Sequence, residues 1–344
     1  MNISTQISRK FRFVSTCSMV MVVFIHAKFI MSRWDVCMKT DCMVGRISDI
    51  VQFSISEMLC RLAVPLFFLT SGFFMANRND GSIQTYIYKI KGRARSILVP
   101  YLIFSIAWLA ISMFANRIEN VGIKDFLLYS FVSPIPFQFW FLQHLMALTL
   151  LSILLYQLLK HFRISVRLLL GFIYFLLDND IRTGFGGSLF YYAMGMSLYM
   201  NPLTNKALRY KNLFIYTFVL LFIVCFWIRF LGIEIGHAIY GIANKIMIFC
   251  GVCWCVWWIL LDKQLFNVPK GLTMGAGTSF LIFCLHEPLL SFLKNTYLHI
   301  FSTQHGILVG YFILPLVTIF LCLLVDYLIK KTNTTLYKVL TGNR

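Results

Sequence analysis

The sequence predicts an all-α fold: a polytopic membrane bundle of about ten transmembrane helices with the N- and C-termini in the cytoplasm. Three observations carry that expectation. Apolar residues make up 59% of the 344 residues and charged residues only 13%, where a soluble domain would show roughly 25% charged. Mean hydropathy is +0.77, so lipid rather than water must solvate most side chains. Basic residues also recur in every second loop between the apolar segments, as the positive-inside rule requires. A soluble enzyme, a disordered chain and a secreted disulfide scaffold are thereby excluded. A net charge of +18 would point a soluble protein toward nucleic acid. Here it orients helices, the first partner is the lipid bilayer, and no nucleic acid is expected.

Each span needs about 20 mostly apolar residues. Such segments fall near 13–31, 57–76, 96–115, 138–159, 164–178, 185–201, 212–231, 239–261, 274–294 and 307–329. Arg9, Lys10 and Arg12 precede the first. That segment is too long for a signal peptide, carries His26, and shows no small-x-small cleavage site before Trp34, so it is read as a retained helix. Arg78, Lys89, Lys91, Arg93 and Arg95 lie between the second and third segments, and His161, Arg163 and Arg167 follow the fourth. The fifth and sixth are short and broken by Gly184, Gly186 and Gly187. Lys206, Arg209 and Lys211 follow the sixth, Lys263 and Lys270 the eighth, and Lys330, Lys331 and Lys338 the last. With no internal repeat and no Gly/Ser-rich linker, residues 1–344 read as a single integral-membrane domain.

Most of the ten cysteines lie in spans, where a thiol is usually a small packing residue. Cys253 and Cys255 point in different directions on a helix and make a poor metal site, so no metal is expected. Cys37 and Cys42 fall in an outer loop, where a disulfide is open. Titratable groups at membrane depth are expensive, and each is a functional hypothesis. They are His26, Arg61, His144, Arg229, Lys245, His286 with Glu287, and Asp326. Arg229 and Asp326 lie near span ends and are expected to snorkel to water. Lys245 is deeper, with Glu234 as a possible neutralising partner. His144, in Trp140-Phe141-Leu142-Gln143-His144, reads equally as a bonded core histidine and as a working one. His26 follows Val22-Val23-Phe24-Ile25 with only apolar neighbours on the preceding turn. Imidazole both takes and gives a proton near neutral pH, which suits general-base work on a hydroxyl. An interhelical hydrogen bond is the other reading of the same residue.

Six segments then fall in one order. The run around His26 resembles the amino-terminal signature of the integral-membrane acyltransferases of family 3, which O-acylate surface and lipid-linked glycans. Arg61-Leu62-Ala63-Val64-Pro65-Leu66-Phe67-Phe68-Leu69-Thr70-Ser71-Gly72-Phe73-Phe74 resembles that family's second helix closely. Arg93-Ala94-Arg95-Ser96-Ile97-Leu98-Val99-Pro100-Tyr101 is similar to its basic loop leading to Pro-Tyr at the third helix. Phe139-Trp140-Phe141-Leu142, Tyr191-Tyr192-Ala193-Met194-Gly195-Met196 and Ser279-Phe280-Leu281-Ile282-Phe283-Cys284-Leu285-His286 resemble later family segments. The resemblance covers residues 15 to 290.

One departure matters. The family carries Arg or Lys eleven residues before the first-helix His, and here that position is Ser15. Eleven residues return to the same helix face about 16 Å away. Arg12 is about 40° off that face and one turn lower, and is the substitute candidate.

The resemblance implies an O-acyltransferase, most often an O-acetyltransferase, in a bacterial plasma (inner) membrane. It would move an acyl group from acyl-CoA, acetyl-CoA being the usual donor, to a hydroxyl of a cell-surface or lipid-linked glycan. No permanently bound cofactor is expected. In that reading Arg12, Arg93 and Arg95 hold the donor's phosphates. His26 takes the acceptor's proton or is itself acylated, Arg61 steadies the developing oxyanion, and His286 completes the catalytic set. Trp140 and His144 face the acceptor, with Trp140 stacking on a sugar ring or sitting in the aromatic belt. Ser71-Gly72 is read as a close helix contact. A glycan-precursor carrier or flippase and a noncatalytic relative remain the alternatives.

Overall fold

The computed structural model describes residues 5–29, 43–77, 79–114, 122–177, 184–203, 209–231, 233, 237–261 and 268–343. Trp34, Cys37, Cys42 and Glu234 lie outside the described residues, as does the side chain of Arg229.

Helix α1 (Thr5–Ala27) is enclosed by its neighbours, with Phe11, Met19, Val22 and Val23 nearly or fully buried. The second segment is longer than its apolar run. Helix α2 (Met43–Gln52) continues through a π turn (Phe53–Leu59) and a 3₁₀ turn (Cys60–Leu62) into α3 (Ala63–Ala76). Pro65 explains where the ladder breaks: its ring and missing N–H displace the carbonyl of Arg61, four residues back. Pro100 stands in the same relation to the π turn Ala94–Leu98, which joins α4 (Ile83–Arg93) to α5 (Val99–Phe114). Short α6 (Ile123–Leu127) is followed by α7 (Trp140–His161), which a 3₁₀ turn (Phe137–Phe139) introduces. Then come α8 (Arg163–Phe172), α9 (Phe185–Met200), α10 (Lys211–Leu231), α11 (His237–Leu260), α12 (Ala276–Ile300), α13 (Gln304–Thr332) and α14 (Thr334–Leu340).

Among the described residues, eight helices are long and apolar enough to cross a membrane. They correspond to eight of the ten expected spans, and the protein is a multi-pass integral membrane protein. The fifth and sixth expected spans are helical but short. The first is α8 with the π turn Ile173–Leu177, and the second is α9, 16 residues long. Sixteen residues reach about 24 Å, less than the roughly 30 Å of hydrocarbon. Helix α9 stays in the bundle because other helices enclose it: Tyr191, Tyr192, Ala193 and Met196 are buried. Its closest neighbour is α3, and glycine makes the approach possible. A Cβ at Gly72 would lie 1.9 Å from the Tyr192 carbonyl oxygen, and one at Gly195 1.9 Å from that of Leu69. The expected packing role of Gly72 is therefore realised backbone to backbone. Helix α10 packs on α11 and turns Leu213, Leu220, Ile223 and Trp227 outward, where lipid is their solvent.

Several lysines cap helix ends. The last carbonyls of a helix lack partners and carry the negative end of its dipole. Lys10 Nζ donates to Trp258 O near the end of α11 (2.8 Å), and Lys89 Nζ to Met75 O at the end of α3 (2.6 Å). Lys245 Nζ donates to Tyr174 O in the turn that ends α8 (2.8 Å). Asp326 does not snorkel as expected. It is 5% exposed, and its Oδ2 pairs with Lys330 on the same helix (2.5 Å) and accepts from Thr278 Oγ1 on α12 (3.1 Å), so protein groups take the place that water was expected to fill at that oxygen.

Candidate active site

His26 occupies the last turn of α1, closer to the helix end than the apolar run suggests. That end is held from three sides. Ser56 Oγ donates to Phe24 O (2.6 Å), and Lys294 Nζ donates to Lys28 O (2.6 Å) and His26 O (3.4 Å). The Phe29 N–H donates to Gln52 Oε1 (2.7 Å). Positive charge and hydroxyl donors thus meet the orphan carbonyls, fixing the backbone that carries the imidazole.

His286 on α12 lies against it, ring centroids 5.3 Å apart and edge-on. Its Nδ1–H is shared between Ile282 O (3.0 Å) and Phe283 O (2.9 Å), both of which can only accept. That fixes the tautomer and leaves Nε2 as an acceptor; it is buried with no hydrogen-bond partner among the described residues. The third expected catalytic residue joins the pair: His26 and Arg61 line one cavity of about 170 Å³, with Trp140, Gln138, Lys28 and a group of phenylalanines.

Arg61 is aimed by a residue that the apolar pattern does not reveal. Glu57, with no exposure, accepts from Arg61 Nε (3.1 Å) and Nη2 (2.8 and 2.9 Å) and pairs with Lys28. The i,i+4 spacing of Glu57 and Arg61 is the available signal. It is masked because the apolar run starts at Glu57, whereas the helical segment starts at Met43. The irregular backbone here, π then 3₁₀, is of the kind found at functional sites.

A second cavity of about 350 Å³ lies toward the other end of α1. Arg12, Ser15 and Arg93 line it, along with the hydroxyls of Ser8, Thr70, Ser71 and Ser279. Among the described residues its wall has two guanidinium groups and no carboxylate, a composition suited to an anion. Ser15, where the departure falls, and Arg12, its substitute, thus face the same space. Arg95 is exposed and does not line this cavity. Phe67, Phe141 and Phe283 belong to the walls of both cavities and form the partition between them.

The two expected acceptor residues separate. Trp140 lines the His26 cavity and also a small chamber of about 40 Å³ beside Arg61 and Ser188. His144 lines neither. Its Nδ1 is 3.0 Å from Ser188 Oγ, and its ring lies edge-on to Trp140 and Phe185 at 5.2 and 5.1 Å. His144 supports the wall from behind.

A helical membrane bundle with an imidazole and a guanidinium at one cavity, a second imidazole packed against the first, and two guanidinium groups at another cavity has the groups that acyl transfer uses. The chain belongs to the integral-membrane acyltransferases of family 3: the family described as "Acyltransferase domain" matches residues 16–327. It is therefore an acyltransferase. The succinoglycan biosynthesis protein ExoH of Rhizobium meliloti is similar to it, 24% identical over 322 residues, which covers 86% of this chain and 83% of that protein. No solved structure matches the chain.

Proposed function

We propose that the protein transfers an acyl group, acetyl in the first instance, from acyl-CoA to a hydroxyl of a cell-surface or lipid-linked glycan. The reading rests on the membrane bundle, the family, and a similar protein named for succinoglycan biosynthesis. The observation that carries it is the pair of cavities divided by Phe67, Phe141 and Phe283. One has the cations for a nucleotide's phosphates, the other a base for a hydroxyl. Both termini and the basic loops lie in the cytoplasm on this reading, supported by the alternation of charge. The alternation survives the short fifth and sixth helices, since ten spans or eight leave the termini on one side. The membrane is then the bacterial inner membrane, where cytoplasmic acyl-CoA meets the Arg12–Arg93 cavity.

In the mechanism, Arg12 and Arg93 hold the donor's phosphates by charge-assisted hydrogen bonds, and Ser15 lines the same cavity. His26 removes the proton of the attacking hydroxyl as its oxygen bonds to the thioester carbonyl carbon. Arg61, held by Glu57, faces the oxyanion that develops. Collapse breaks the C–S bond, and the proton on His26 leaves with the thiolate. His286, its ring against that of His26 and its Nε2 an acceptor, is placed to stabilise the transient imidazolium.

The test is His26→Ala, with membrane levels matched to wild type. Ester-linked acyl groups on the cell's surface glycan, quantified by mass analysis, should fall at least 100-fold, the scale of a lost general base. Unchanged acylation at matched levels would sink the assignment.

A further inference from the structure

We propose that Gln138 selects which hydroxyl of the acceptor is acylated, by holding the neighbouring hydroxyl with its side-chain amide. The proposal deepens the acyl-transfer reading and rests on it.

Gln138 lies in the 3₁₀ turn Phe137–Phe139 that introduces α7, two residues before Trp140. The turn is fixed: Phe139 N–H donates to Pro136 O (2.9 Å), and the fully buried Phe139 ring packs near Tyr101 and Phe283. Gln138 itself is 3% exposed, yet neither Nε2 nor Oε1 has a hydrogen-bond partner among the described residues. Burying an amide in that way is costly and rare. The surroundings are not poor in partners, because Gln143, on the next turn and a half, donates to Tyr101 Oη and Phe131 O. The distinguishing feature of Gln138 is its place: it lines the cavity shared by His26, Arg61 and Trp140.

The amide's chemistry narrows its ligand. It offers donors on Nε2 and acceptor sites on Oε1. A thioester carbonyl only accepts, so it would satisfy Nε2 and leave Oε1 stranded. A sugar hydroxyl donates and accepts, and vicinal hydroxyls can engage both ends of the amide at once. With one hydroxyl held by Gln138, a sugar has only its neighbour in reach of His26. The residue is thus a positioning and specificity group; the proton transfer belongs to His26.

The test uses the full-length protein in lipid nanodiscs, acetyl-CoA as donor, and surface glycan from cells lacking the protein as acceptor. NMR locates the esters. In Gln138→Leu the KM for glycan should rise about tenfold, the loss of roughly one good hydrogen-bonded contact. The ester should also spread over neighbouring hydroxyls. The donor KM, and CoA release without acceptor, should stay within twofold of wild type. Thermal stability should hold or rise, since an unpaired buried amide has gone, whereas a structural role predicts a fall. Gln138→Glu keeps an acceptor oxygen and should retain part of the positional preference. An unchanged glycan KM and ester position in Gln138→Leu overturns the proposal, as does a rise confined to the donor KM. Glycan left unesterified by the wild-type protein refutes acyl transfer itself, and this proposal with it, before any variant is compared.

Discussion

Glu57, between the Arg61 guanidinium and the Lys28 ammonium, decides where the guanidinium points. Truncating one partner of a buried charge pair costs about 3–5 kcal/mol, because the remaining charges are left desolvated and unpaired. Glu57→Leu should therefore lower the unfolding midpoint of the detergent-solubilised protein. Glu57→Gln, which keeps the shape and an acceptor oxygen, should fold but lose kcat with little change in donor KM. Comparable losses in kcat and donor KM would place Glu57 outside the reaction centre. At this scale the sequence was partly legible. His26, Arg61 and His286 stand out because a titratable group in an apolar run is expensive, and the fold brings all three together. Glu57 was hidden at the first residue of its apolar run. Gln138 was hidden because an uncharged amide near a span end looks like ordinary interface polarity.

The elements were legible where length and hydropathy coincide, and less so where burial replaces length. Helix α9 is too short to span alone, yet it is held by the Gly72–Gly195 crossing with α3. No hydropathy window contains that information, since it depends on which helix lies opposite. Gly195→Ala places a methyl group against the Leu69 carbonyl, where backbone and not a flexible side chain must yield. A cost of about 1–3 kcal/mol is expected for such overpacking. It should read out as a lower thermal midpoint in detergent, and Gly92→Ala, where nothing lies within 4 Å, serves as the control. The lysine caps show a second limit of the sequence reading. The basic excess was read as orientation and donor binding, but Lys10, Lys89, Lys245 and Lys294 spend their charge on helix-end carbonyls. Such contacts join residues as far apart as 10 and 258, so spacing along the chain cannot announce them.

For the whole molecule, the two cavities predict a division of kinetic effects. Arg12→Ala should raise the KM for acetyl-CoA several-fold while leaving kcat at saturating donor nearly intact, and the effect should shrink at high salt as screening weakens the wild-type contact. Equal donor KM values in wild type and variant would retire Arg12 as the substitute for the cation missing at Ser15. The membrane class and the order of the helices were legible from composition and hydropathy. The partition was not, because Phe67, Phe141 and Phe283 come from α3, α7 and α12 and read singly as lipid-facing or core aromatics. Their meeting has a further consequence. Two cavities toward opposite ends of α1 would, if joined, offer water a path along the helix. Three phenyl rings at the junction form a hydrophobic constriction that water does not wet. On the acyl-transfer reading, the same rings would close around the donor's arm where it passes from one cavity to the other, leaving no room for a continuous column of water beside it.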